Sequence, residues 1–125
     1  MTKSTPAGRA ILIVEDRELL RLFMVALVET AGFEAIQVSN ADEALAILER
    51  RSDIALLVTN VVMHGSMDGV ELAHAVDIRW PFIKIIVVSG SRGFCEDDLP
   101  RKSIFLAKPY HDEEMVFEIR SLIGA

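Results

Sequence analysis

Short, nearly continuous aliphatic runs alternate along this chain with longer segments in which apolar residues recur at three-and-four spacing. Ala10–Val14, Ile54–Val58 and Ile83–Val88 are of the first kind. A strand that is apolar at every position has both faces covered, as in a parallel sheet sandwiched between helices. Phe33–Val38 and Ser103–Ala107 carry the same signal more weakly and are also predicted as strands. Between them, Leu19, Leu22, Phe23, Ala26 and Leu27 form one helical face, which Gly32 should end. A helix over Ala41–Arg51 follows an Asn40…Glu43 pair, and one over Val70–Arg79 follows Asp68…Glu71, both with capping-box spacing. Met115, Ile119 and Leu122 make the last apolar stripe. The segment Ser91–Lys102 is the weakest of the helices, because Gly93 and Pro100 leave about two turns at most.

In order, this is a β-α unit repeated five times. Such alternation implies right-handed crossovers and an α/β, doubly wound parallel sheet with helices on both faces. Residues 1–8 are polar, with Pro6 and Gly8, and read as a flexible tail before one domain over residues 9–125.

Composition narrows the class. The chain has 125 residues, enough for one domain with a real core, and its 51% hydrophobic content excludes a disordered acidic tail. A formal net charge of −6 argues against direct nucleic-acid binding, which needs a basic stripe. Cys95 is the single cysteine, so no internal disulfide forms and a cytoplasmic location is expected. No run approaches the ~18 apolar residues of a membrane span, and Ile11–Val14 is too short for a signal peptide.

The polar residues that matter fall just past the strands' carboxyl ends, where ligands bind in open α/β sheets. Glu15-Asp16 follows the first strand and Thr59-Asn60 the third; Ser89-Gly90 follows the fourth and Lys108-Pro109 the fifth. Adjacent carboxylates repel unless a cation joins them, and oxygen ligands of this kind suit Mg²⁺. With a facing ammonium and hydroxyl, the set makes a receptacle for a phosphoryl group.

These motifs resemble the receiver domain of two-component response regulators (CheY-like) over roughly residues 9 to 124. Ile11-Leu-Ile-Val-Glu-Asp16 is similar to the family's opening acid pair. Leu57-Val-Thr-Asn-Val-Val-Met-His-Gly-Ser-Met-Asp-Gly69 resembles the third strand and its loop. Val87-Val-Ser-Gly90 and Phe105-Leu-Ala-Lys-Pro109 resemble the switch-hydroxyl and Lys-Pro segments. The resemblance implies a flavodoxin-like (βα)₅ fold with strand order 2-1-3-4-5, two helices on one face and three on the other. It implies Mg²⁺ at Asp16, helped by Glu15, the residue at position 60 and the backbone carbonyl of Val62. Ser89 would be the switch hydroxyl, Lys108 its ammonium partner and Phe105 the rotating aromatic, with a cis Lys108–Pro109 bond.

Two positions depart from that pattern. Asn60 stands where the phosphoaccepting aspartate belongs, and an amide is a poor nucleophile toward phosphorus and a weaker Mg²⁺ ligand than a carboxylate. Its amide is expected to donate to Glu15 or Asp16. His64 stands where proline is usual, and reads as a solvated loop residue. His74 and His111 read as surface groups, Cys95 as unreactive, Trp80 as a cover for the bottom of the sheet, and Met24, Met63, Met67 and Met115 as core filling.

The expected function is a phosphorelay signalling module, not an enzyme, that meets a histidine kinase or phosphotransfer protein and a downstream protein target. The rival is a flavin or nucleotide binder of the same architecture. Glu15-Asp16-Arg17-Glu18 opposes it, since phosphate binders need backbone amides and no acids at that turn.

Overall fold

The computed structural model describes residues 10–90 and 96–124. Strands β1 (Ala10–Val14), β2 (Glu34–Val38), β3 (Ile54–Asn60), β4 (Lys84–Ser89) and β5 (Ile104–Ala107) form one sheet in the order β2-β1-β3-β4-β5. Every pairing is parallel. The helices are α1 (Glu18–Thr30), α2 (Ala41–Arg50), α3 (Gly69–Arg79) and α4 (Asp112–Ile123).

Alternation along the central strands splits the core in two. Leu12, Val14, Leu57, Ile85 and Val87 pack with Ala44 and Leu48 of α2 and Leu72 and Val76 of α3. Ile11, Ile13, Leu56, Val58, Ile86 and Val88 pack with Met24, Leu27 and Val28 of α1 and Met115 and Ile119 of α4. Burial of such side chains stabilises the fold by roughly 1.5–3 kcal/mol each, which is why β1 and the stretches Ile54–Val58 of β3 and Ile85–Val88 of β4 are aliphatic.

Two expectations are corrected. In place of a helix over Ser91–Lys102, the described part of that segment holds only a 3₁₀ turn, Glu96–Asp98. The Leu99 N–H closes this turn on Glu96 and the Ser103 N–H returns to Pro100, whose missing N–H and ring block any continuation. Leu99 is buried with the α2–α3 side, so this segment takes the place of a third helix on that face. Gly93 and Cys95 lie outside the described residues.

The second correction concerns α1. Its buried residues are Met24, Leu27 and Val28, whereas Leu19 is 78% and Phe23 61% exposed, with Leu22 exposed too. The helix is apolar nearly all round, so three-and-four spacing fits two stripes equally well. Packing selects the one that meets Ile11 and Ile13 and leaves the other in solvent.

The helix ends follow their sequence signals. Asp68 and Glu71 form a reciprocal capping box at α3, each bond 2.9 Å. Asn40 caps α2 through the Glu43 N–H at 2.9 Å, but the Glu43 carboxylate reaches the Ser39 N–H instead of closing the box. Gly32 follows α1 with φ +98°, the left-handed conformation that favours glycine. Trp80 ends α3, half-buried against the core, with the Arg79 guanidinium 4.3 Å from its ring centroid. Met24 and Met115 are buried, and Met63 and Met67 pack against the core. His74 and His111 are exposed; the His74 ring meets the Asp98 carbonyl. Among the described residues, no helix is long and apolar enough to cross a membrane.

Candidate functional site

Because all five strands are parallel, their carboxyl ends share one edge. Strand register does the alignment: Val14 is opposite Thr59, Asn60 opposite Val88, and Ser89 opposite Ala107. Glu15-Asp16, Asn60, Ser89 and Lys108 are thereby brought together, as the sequence implies. Glu15, Asn60 and Ser89 are buried, Asp16 and Lys108 half-buried, and Val62 exposed.

Two glycines let the backbone close around this edge. A Cβ on Gly69 would lie 1.8 Å from the Asn60 carbonyl oxygen, and the Gly69 N–H donates to Val61 O at 2.8 Å. The start of α3 is thus pressed against the end of β3, at a distance only glycine permits. Gly90 is tighter than ordinary contact as well, with a built Cβ 3.2 Å from Lys108 Cβ. The Lys108 N–H donates to Ser89 O at 2.9 Å, and the Lys108–Pro109 bond is cis. The parallel pairing of β4 and β5 thus holds Lys108 beside Gly90 at the site.

The acid pair is electrostatically divided. Burial pushes the Glu15 carboxyl up, and Asp16 beside it adds to that, against the Arg17 N–H and the Lys108 charge. One Glu15 carboxylate oxygen accepts the Arg17 N–H at 2.9 Å, while the other, Oε1, is buried without a partner. Burial also acts to raise Asp16, but the His64 N–H and ring outweigh it and hold that carboxyl below its usual range. Asp16 Oδ2 accepts the His64 N–H at 3.0 Å and meets the His64 ring nitrogen at 2.6 Å. Burial raises the nearby Tyr110 phenol, assisted by the charges of Asp112 and Glu15.

The Asn60 amide donates to the Val62 carbonyl at 3.2 Å, where Glu15 or Asp16 was the expected acceptor. The reason is local: Val62 lies two residues on in the same turn, within reach of a short side chain. Buried Thr59 steadies the turn by donating to the Asn60 carbonyl at 3.0 Å. Phe105 on β5 is half-buried against the α2–α3 core and borders a hollow of about 510 Å³ with Leu99, Pro100 and Ser103.

Sequence reasoning missed the Asp16 contact of His64. The ring is solvated as expected, 98% exposed, yet it closes on a residue 48 positions away. No spacing signal reports such a pair. The role of Gly69 was open to inspection only as the end of the loop motif.

The donor set suits a hard cation: two carboxylates, an amide oxygen and a backbone carbonyl, with Glu15 Oε1 buried and unpartnered. No three His, Cys, Asp or Glu side chains among the described residues are arranged to hold a metal. A cation would therefore lean on Asn60 Oδ1 and Val62 O as well as the acids.

Residues 11–120 match the model of the response regulator receiver domain. The chain is 32% identical over 120 residues to the response regulator receiver protein CpdR of Brucella abortus (strain 2308), covering 94% of this chain and 98% of CpdR. It is 29% identical over 120 residues to the sensor kinase CckA of the same organism, covering 90% of this chain but 12% of CckA. Among solved structures, a response regulator receiver protein from Sinorhizobium medicae WSM419 superposes with a TM-score of 0.82 at 24% identity, covering 94% of this chain and 96% of that one.

Proposed function

Given that this chain belongs to the response regulator receiver family of two-component signalling, we propose that it is a receiver that acts without accepting a phosphoryl group at Asn60. With the family established, the flavin or nucleotide binder of the same architecture falls away. The observation that carries the proposal is the position of Asn60. Its side chain ends β3 at the shared edge, between the acid pair and Ser89, and its amide is spent on Val62 O. Phosphoryl transfer here needs an anionic oxygen that attacks phosphorus and becomes an acyl phosphate. A conjugated, neutral amide offers no such oxygen.

The residues at the other strand ends support this reading. Ser89 and Lys108 would take the switch-hydroxyl and ammonium roles, and Phe105 that of the moving aromatic. Receiver domains typically bind Mg²⁺ in this acidic pocket, where it neutralises the charge of an incoming phosphoryl group. In this chain Asp16, Glu15, Asn60 Oδ1 and Val62 O would hold it, more weakly for lack of the third carboxylate. The partner would be a histidine kinase or phosphotransfer protein, with a downstream protein as target. Supporting this, exposed Phe23 lines, with Leu20, Met24 and Leu27, a groove of about 410 Å³ that runs from α1 to Lys108 and Pro109. Contiguous exposed apolar surface of this kind marks contact sites.

Beryllofluoride, which bonds to a receiver carboxylate in imitation of the acyl phosphate, supplies the test. Amide NMR spectra of this chain should be unmoved by beryllofluoride and Mg²⁺ beyond the effect of Mg²⁺ alone. Those of Asn60→Asp should shift around Ser89 and Lys108. Equal shifts in both proteins would defeat the proposal.

A further inference from the structure

We infer that His64 is a latch that fastens the β3–α3 loop to Asp16 in place of a divalent cation, so that metal binding must displace it. Asp16 Oδ2 receives both the backbone N–H and the ring nitrogen of His64, at 3.0 and 2.6 Å. Two bonds from one residue to one oxygen fix the loop in direction as well as distance. The loop is shaped for this closure. Gly65 adopts φ +120°, which turns the chain immediately after His64, and Ser66 Oγ donates to Asp42 at 2.7 Å, tying the loop's far side to α2.

The latch gives the converging oxygens partners from the chain itself. Asp16 is satisfied by His64, and Val62 O by the Asn60 amide, so two of the oxygens that a cation would recruit are engaged by the chain's own donors. The ring is 98% exposed, so packing does not hold it there; the contact with Asp16 does. Such a bond opens readily. Glu15 Oε1 remains buried and unpartnered, which leaves the pocket with a reason to accept a cation once the latch swings away. Latch and cation then compete for the Asp16 carboxylate.

This inference rests on Asp16 being the metal-binding acid, and it is independent of phosphoryl transfer, which its test does not read. Calorimetric Mg²⁺ titration of the unmodified chain and of His64→Ala at one pH is the first measurement. His64→Ala should bind Mg²⁺ about two- to tenfold more tightly, the change expected when one net hydrogen bond no longer competes. Equal affinity would overturn the latch, and weaker affinity would make the ring a metal ligand instead. The second measurement is amide hydrogen exchange in EDTA, which needs no metal binding at all. Exchange over residues 61–66 should quicken in His64→Ala, with the β3 amides unchanged. Unaltered loop exchange would overturn the inference whatever the titration shows.

Discussion

The Asn60 side-chain amide donates to the carbonyl oxygen of Val62 at 3.2 Å, joining two of the groups proposed to hold the cation. An aspartate at position 60 cannot make this bond. Its carboxylate would point a negative oxygen at the Val62 carbonyl and add a third charge beside Glu15 and Asp16. Like charges a few Å apart cost on the order of 1 kcal/mol or more per pair in a partly buried site. In EDTA, Asn60→Asp should therefore be less stable than the unmodified chain by about 1–2 kcal/mol, or several degrees in Tm. Millimolar Mg²⁺ should narrow or reverse the gap, since a ligand stabilises the form that binds it better. Thermal melting of both proteins in EDTA and in Mg²⁺ checks this; a higher Tm for Asn60→Asp in EDTA would refute it.

Glu15 gives a prediction in pH. Burial above all raises its folded pKa above the usual 4.5 of a glutamate, so the ionised form is less comfortable folded than unfolded. The resulting penalty is present at neutral pH and disappears as pH falls through the raised pKa toward 4.5. Glu15→Gln keeps an acceptor for the Arg17 N–H and places an NH₂ near Asp16. It should raise Tm at pH 7 by a few degrees, with the gain shrinking toward pH 4.5. A gain that grows as pH falls would reverse the assigned sign.

The Gly69 contact predicts a steric cost. Gly69→Ala would put its Cβ 1.8 Å from the Asn60 carbonyl oxygen, and backbone on both sides cannot yield cheaply. Overpacking and backbone displacement should cost about 1–3 kcal/mol or more, visible in urea unfolding. Stability within error of the unmodified chain would show that α3 does not press on β3 as described.

The two stripes of α1 separate cleanly. Leu19→Ser and Phe23→Ser fall on exposed positions and should change stability by no more than about 0.5 kcal/mol. Leu27→Ala should cost about 2–5 kcal/mol, as for a buried leucine. If Phe23→Ser destabilises as much as Leu27→Ala, the helix is turned the other way.

Much of this architecture was legible in the sequence, and the exceptions have physical causes. The aliphatic runs located β1, β3 and β4, because burial on both faces excludes polar residues from their middles; β2 and β5, less buried, gave a weaker signal. Glu15, Asp16, Asn60, Ser89 and Lys108 could be placed at one edge because parallel strands put all carboxyl ends on the same side. The face of α1 was not legible, since Leu19, Leu22 and Phe23 satisfy helical spacing as well as Met24, Leu27 and Val28 do. The segment before β5 was the weakest helix in the sequence, bounded by Gly93 and Pro100, and its described part holds only the turn at Glu96–Asp98, which Pro100 cannot continue. His64 and Asp16 meet only through the folded loop, and the acceptor of the Asn60 amide depends on a turn geometry that residue types do not encode.

On the proposed function, the amide of Asn60 leaves this receiver domain without a phosphoryl acceptor at the end of β3. The most direct measurement is the intact mass of this chain and of Asn60→Asp after incubation with acetyl phosphate and Mg²⁺. Asn60→Asp should gain the mass of one phosphoryl group, labile to strong acid and base as an acyl phosphate is, while the unmodified chain gains none. Stoichiometric phosphorylation of the unmodified chain, at Thr59, Ser89 or any other residue, would contradict the account.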